Sequence, residues 1–216
     1  MSLEFLSVPA EGPVVAESPV ADVARRAGAE LEVRDGWLVP TSFGDDRGQR
    51  AAIGETVGFA DASGMRKVEL QGSIEALRGA WPTGEPQMGL ATAHEGGWWC
   101  RLTPTLALVL GAGADLDGVD VTGQYCALRL VGPLVRELMG CFCALDLRPG
   151  TAPPGTLLPG SVARTPGLVI VEAELQLLVL AGAAYAEYLW TTVADAAARL
   201  GGRPVGSDLI VGAVNA

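Results

Sequence analysis

The side chains best suited to chemistry are few, and they cluster in the middle of the sequence. The only histidine, His94, precedes Glu95-Gly96-Gly97 and then Trp98-Trp99-Cys100-Arg101. Imidazole titrates near neutral pH and is the usual general base. No serine or cysteine stands around His94 in a recognisable nucleophile motif, so a loop histidine without a catalytic role is the plainer reading. The four cysteines, Cys100, Cys126, Cys141 and Cys143, lie in apolar segments and read as buried free thiols. With a single histidine, and Cys141-Phe-Cys143 as the one close cysteine pair, a structural zinc site would need carboxylates for its remaining ligands, so no metal is expected. Trp98 and Trp99 are neighbours in a β-rich run, so they face opposite sides of a strand. One is expected in the core, and the other is free to line a pocket or meet a partner. The 29 glycines form neither GxGxxG nor GxxxxGK[ST] between a strand and a helix, which sets aside dinucleotide and P-loop nucleotide binding.

The elements that must position these groups read as alternating strands and helices within 216 residues. Residues 1–30 form an N-terminal arm rich in Pro, Ala and Glu, with a short helix over Asp22–Ala27. Asp45 or Asp46 caps a helix that runs to Val57 and stops at Gly58. Met65–Gln71 follows as a half-buried strand, with Arg66, Val68 and Leu70 alternating against Lys67, Glu69 and Gln71. Trp98–Leu102 and Thr105–Leu110 form a hairpin across Thr103-Pro104. Beyond it the spacing predicts a strand over Gln124–Val131, a helix opened by Pro133, and a Pro/Gly loop over Pro149–Gly160. A second hairpin joins Leu168–Val171 to Leu175–Leu180. The final helix carries Tyr185, Leu189, Val193, Ala197 and Leu200 on one stripe and ends at Gly201-Gly202. A boundary near residue 117 divides the chain into a first lobe, 31–117, and a second lobe, 118–216.

A weak internal repeat supports two related lobes. Asp61-Ala-Ser63-Gly64 followed by Leu70-Gln-Gly72 parallels Asp120-Val-Thr122-Gly123 followed by Leu130-Val-Gly132. Each is an Asp-x-Ser/Thr turn, a strand, and a glycine that frees the strand-to-helix corner from Cβ clashes.

Composition narrows the partners. Hydrophobic residues make up 49% and charged residues 19% of the chain, enough apolar surface for a packed core. The net charge of -10 disfavours nucleic acid and anionic membranes. The longest apolar runs are broken by Pro104 and Gly111, or by Glu172, Glu174 and Gln176, so no transmembrane helix is expected. The opening Met1-Ser2-Leu3-Glu4 shows no export signal, and a cytoplasmic location is the expectation.

Asp35-Gly-Trp37-Leu-Val-Pro40 and Gly58-Phe-Ala-Asp61-Ala-Ser63-Gly-Met65-Arg-Lys67-Val-Glu-Leu-Gln-Gly72 resemble the opening of glycine-cleavage T-protein, the aminomethyltransferase. Leu130-Val-Gly132-Pro133 with Arg136-Glu137-Leu138 resembles that family's next strand and helix. Cys143-Ala-Leu-Asp146-Leu147, Tyr185-Ala-Glu-Tyr188-Leu189-Trp190 and the Ala-rich helix look more like the sarcosine oxidase gamma subunit. Together these resemblances span roughly residues 33–210. They imply an α+β chain of the T-protein/folate-binding fold: two lobes of antiparallel sheet with flanking helices, the second ferredoxin-like.

The resemblance also implies a tetrahydrofolate pocket between the lobes. Met65 matches the pocket methionine, although a Met at a strand start is also an ordinary gap filler. Trp98 becomes a candidate for stacking on the pterin, and Arg164, in Ala163-Arg164-Thr165, matches that family's alanine-arginine-threonine strand end. The catalytic aspartate has no counterpart before Trp98; Glu95 is a weak catalytic candidate, one methylene longer. Pro166-Gly167 replaces the loop that should carry a tyrosine and a glutamate, and the segment near Ser207-Asp208 lacks the expected arginine. Two functions follow from the resemblance: an aminomethyltransferase-like folate-binding protein with degenerate catalytic residues, or a non-catalytic gamma-type subunit of a sarcosine oxidase-like flavoenzyme. The first takes a folate-type small molecule as its ligand, the second a larger flavoprotein subunit as its partner.

Overall fold

The strands are laid down by alternation, and each alternation can be followed to a specific interface in the computed structural model, which describes residues 15–82, 84–94, 96–111 and 116–211. In chain order the elements are β1 (Ala16–Glu17), α1 (Ala21–Arg26), β2 (Glu30–Arg34), β3 (Trp37–Ser42), α2 (Asp46–Glu55), β4 (Gly58–Asp61), β5 (Lys67–Gln71) and α3 (Ile74–Ala80). Then come β6 (Ala91–His94), β7 (Gly97–Thr103), β8 (Leu106–Leu110), β9 (Val119–Asp120), β10 (Tyr125–Val131) and α4 (Val135–Gly140). The chain closes with β11 (Leu157–Val162), β12 (Thr165–Ala173), β13 (Gln176–Gly182), α5 (Ala186–Arg199), β14 (Arg203–Pro204) and α6 (Ser207–Val211).

Two larger sheets stack face to face. One has the order β11-β12-β13-β10-β4-β14, the other β6-β7-β8-β5-β9, and a small sheet β1-β3-β2 stands beside them. In β13, Leu177, Val179 and Ala181 point into a core closed by α1, α4 and α5, while Leu178 and Leu180 point into the layer between the sheets. In β8, Leu108 and Leu110 enter that same layer, and Ala107 and Val109 pack outward on Leu77 and Trp81 at α3. The result is helices, six-stranded sheet, five-stranded sheet and helix, with apolar contact at each junction. Each fully buried Leu or Val contributes about 1.5–3 kcal/mol by leaving water. Strands buried on both faces read as continuous apolar runs, as β10 and β13 do.

Several expectations change. The residues assigned to an N-terminal arm instead supply core: Val20 and Ala24 are fully buried under the helical face. The proposed loop over 149–160 already contains the start of β11, because Leu157 is drawn into the inter-sheet layer. α4 begins two residues after Pro133. Lys67, expected on the polar face of its strand, is completely buried, because Val68 and Leu70 pack beneath α3 and turn Lys67 inward.

The sheets also exchange chain across residue 117. β4 pairs antiparallel with β10, and β9 pairs antiparallel with β5, so each sheet draws strands from both parts of the sequence. Both Asp-x-Ser/Thr segments form the turn expected of them. The Ser63 amide donates to Asp61 Oδ1 at 2.9 Å and the Thr122 amide to Asp120 Oδ1 at 2.9 Å.

A candidate ligand layer between the sheets

The layer between the two large sheets gathers some of the expected site residues. Met65, Trp98 and Tyr125 are partly buried and pack against its buried members, which include Leu108, Leu110, Leu178 and Leu180. Trp98 takes this position because β7 alternates: Trp98, Cys100 and Leu102 face the layer, while Trp99 faces outward and meets Trp81 edge-on at 5.2 Å. The expected split of the two tryptophans is therefore present, with Trp99 the one in the outer core.

A polar cluster closes one end of the layer. Glu172, at the end of β12, accepts four hydrogen bonds: from Arg129 Nε at 2.7 Å and Nη2 at 3.0 Å, from Trp98 Nε1 at 2.9 Å, and from Gln176 Nε2 at 2.8 Å. The side chains of Arg129 and Glu172 retain only 18% and 5% of their exposure. A bidentate guanidinium–carboxylate pair is the geometry in which a buried ion pair offsets its desolvation. A carboxylate offers about four acceptor directions, so the oxygens of Glu172 are fully used.

A second buried network lies at the base of the Met65 turn. Asp61 accepts from Ser18 Oγ at 2.6 Å as well as from the Ser63 amide. Burial drives the Asp61 carboxyl up from its ordinary pKa, against the opposing pull of the Ser18 and Ser63 hydrogen bonds and of Lys67. Lys67 Nζ donates to the Ser63 and Met65 carbonyls, each at 2.7 Å, and so clamps the turn that presents Met65. Desolvation lowers its pKa to about 8, while Asp61 acts in the opposite direction. Cys126, near this pair, is pushed up to about 12, chiefly by burial and then by Asp61.

Arg164 does not join the layer. Arg164 is exposed at the tight turn between β11 and β12, where Ala163 and Arg164 both have positive φ (49° and 62°). It stands at the opposite end of β12 from Glu172, roughly 25 Å away at about 3.3 Å per residue. Glu95 lies outside the described residues. His94 closes β6, with Nε2 3.0 Å from the Leu110 carbonyl, which can only accept. Cys100, Cys126 and Cys143 are buried free thiols, whereas Cys141 is exposed.

Among the described residues no cluster of three or more His, Cys, Asp or Glu could hold a metal ion, and no helix is long and apolar enough to cross a membrane. A surface groove of about 540 Å³ lies elsewhere, between α4 and the 145–149 loop. Arg148 on its wall is already paired with Asp146 at 2.5 Å.

Sequence reading did not single out Arg129, Glu172 and Gln176 as a unit. The available signal was a charge inside an apolar strand on each side: Arg129 within Cys126–Val131 and Glu172 within Leu168–Leu180. Charges in such positions must find each other, because an unpaired buried charge costs too much to persist.

No family model matches the chain, and no curated protein matches it. Among solved structures, a chain of heterotetrameric sarcosine oxidase from Corynebacterium sp. U-96, in complex with pyrrole 2-carboxylate, is 18% identical with a TM-score of 0.64. That likeness covers 88% of this chain and 98% of the other. Glycine cleavage system aminomethyltransferase T from Bartonella henselae is 13% identical with a TM-score of 0.67, over 89% of this chain and 60% of the other. The chain thus spans 60% of the length of that aminomethyltransferase. At these identities the likeness shows the fold, and it is the α+β fold that the Trp37–Pro40, Phe59–Gly72 and Leu130–Pro133 motifs implied.

Proposed function

We propose that the chain is a gamma-type subunit of a heteromeric, sarcosine oxidase-like flavoenzyme, built on an aminomethyltransferase-like folate-binding fold whose catalytic residues are degenerate. The observation that carries this reading is the state of Glu172. All four of its acceptor directions are taken by Arg129, Trp98 and Gln176. A pterin ring presents N–H groups and needs a carboxylate with free lone pairs; Glu172 could serve one only by giving up a bond already made. The apolar part of the layer is filled by Leu108, Leu110, Ile170, Leu178 and Leu180. A scaffold can keep its packing after the chemistry grafted on it has gone. The near-complete coverage of a chain from a heterotetrameric enzyme adds support for a protein partner.

The test is purification of the tagged chain from its native host. Stoichiometric co-elution with flavin-bearing subunits that consume oxygen with sarcosine or another secondary amine supports the reading. Elution alone, free of flavin and of amine oxidation, contradicts it.

A second reading is favoured by one observation: Met65, Trp98 and Tyr125 share the layer and remain partly exposed. In that reading tetrahydrofolate enters at this rim, with Met65 on its wall and Trp98 stacked on the pterin. Arg164 then contacts a folate only if the ligand reaches the far end of β12. Calorimetric titration with 5-formyltetrahydrofolate separates the two readings, with Met65→Lys as the pocket control.

A further inference from the structure

We propose that the N–H groups gathered around Glu172 form a binding site for a small monocarboxylate, which Glu172 fills from within the chain. The donors come from three side chains on three strands and from both large sheets: Arg129 on β10, Gln176 on β13 and Trp98 on β7. The Arg129 fork meets the two carboxylate oxygens side by side at 2.7 and 3.0 Å, the planar match that makes arginine the preferred partner of carboxylates. Trp98 adds a second donor to Oε1 and Gln176 a second donor to Oε2, so each oxygen has two. None of these donors belongs to β12, the strand that carries Glu172, so the receiving geometry is built independently of its occupant.

The occupant stands at an irregular place in its own strand. The pairing of β12 with β13 slips between Val171 and Ala173, and Glu172 sits at that slip. Alternation along β12 already puts Glu172 on the face of Leu168 and Ile170, so the bulge falls where a glutamate enters an otherwise apolar face. The wall beside the carboxylate is the Trp98 ring and the apolar layer, which suits a ligand with a small hydrocarbon group and excludes a second charge.

This inference does not rest on the subunit reading. Glu172→Ala removes the CγH₂ and carboxylate while keeping Cβ, so the space vacated has the size and charge of acetate. The experiment measures thermal unfolding of Glu172→Ala in sodium acetate against sodium chloride at equal ionic strength. Acetate is expected to raise the midpoint saturably, by at least about 2–4 °C, and to shift one indole N–H resonance, the one absent from Trp98→Phe. Wild type shows a smaller response, because its own glutamate competes at high effective concentration. Arg129→Met combined with Glu172→Ala, which lacks the fork, shows none.

Acetate acting no better than chloride, or equally well on the double variant, overturns the proposal. If Glu172→Ala does not fold in chloride, the readout becomes recovery of folded protein on refolding in acetate, and no recovery overturns it equally. Failure here leaves co-elution with flavin-bearing subunits unaffected.

Discussion

Ser63 and Thr122 hold equivalent places in two turns, and each hydroxyl bonds the strand that follows the other turn. Ser63 Oγ accepts the Ala127 amide at 3.0 Å while the Ala62 amide donates to the Ala127 carbonyl at 2.8 Å. Thr122 Oγ1 accepts the Lys67 amide at 2.9 Å while the Val121 amide donates to the Lys67 carbonyl at 2.9 Å. The first turn thereby bonds inside β10 and the second at the first residue of β5. The repeated Asp-x-Ser/Thr of the sequence thus pins, in each large sheet, the point at which the chain leaves for the other sheet.

Removing either hydroxyl leaves a buried backbone donor without a partner, which costs about 1–3 kcal/mol. Ser63→Ala and Thr122→Val are each expected to lower stability by that amount in urea unfolding, with the slope of the transition unchanged. A loss below about 0.5 kcal/mol in both would mean that the hydroxyls are dispensable.

The glycines that end the two repeats differ in role. Gly132 has φ +136°, and a Cβ there would stand 2.4 Å from the Thr56 carbonyl oxygen, so Gly132→Ala strains the backbone and clashes with it. Gly72 has no such φ, and its nearest contact would be the Ala76 Cβ at 3.3 Å. Gly132→Ala is expected to cost at least about 2 kcal/mol and Gly72→Ala far less, measured by the same unfolding experiment; equal costs would contradict the difference.

Much of the architecture was legible, and the reasons are local. The Asp45 cap of α2, the end of α5 just before Gly201, the split of Trp98 from Trp99, and the Asp-x-Ser/Thr turns follow from short-range chemistry that a sequence displays, whereas α2 ends at Glu55, short of the expected Val57, and Gly58 opens β4. Lys67 was placed wrongly because alternation gives two faces without saying which one a second sheet will cover. The β11 start was hidden in a Pro/Gly segment, since Leu157 is recruited by Ile170 and Leu168, residues distant in sequence. The Arg129–Glu172 pair joins two strands 43 positions apart, a distance no spacing rule bridges.

Lys67 gives the pH dependence a definite sign. Its folded pKa of about 8 lies below its ordinary value of 10.5, so between those values the unfolded chain binds more protons than the folded one. Stability from this group therefore rises as pH climbs from about 8 to 10.5. Cys100 and Cys126, both raised by burial to about 12, act oppositely at the alkaline end, so the comparison must be differential. The stability of wild type minus that of Lys67→Met is expected to grow by about 2–3 kcal/mol across the window. A flat difference would show that Lys67 is not desolvated.

Arg129→Met leaves Glu172 buried without its guanidinium and is expected to cost about 3–5 kcal/mol. Adding Glu172→Leu to Arg129→Met should recover most of the loss, since apolar groups of similar volume replace such pairs at little net cost. Denaturant unfolding of the four proteins in the cycle measures the coupling; strictly additive losses would mean that the two side chains are independent.

Calorimetric titration of the wild-type chain with 5-formyltetrahydrofolate tests the central claim most directly, because that claim is that the inter-sheet layer is occupied by the chain's own side chains. The account predicts no saturable heat up to about 1 mM ligand, the range of interactions near -4 kcal/mol. Saturable binding that disappears in Met65→Lys would contradict it and establish a working folate site at the Met65 and Trp98 rim.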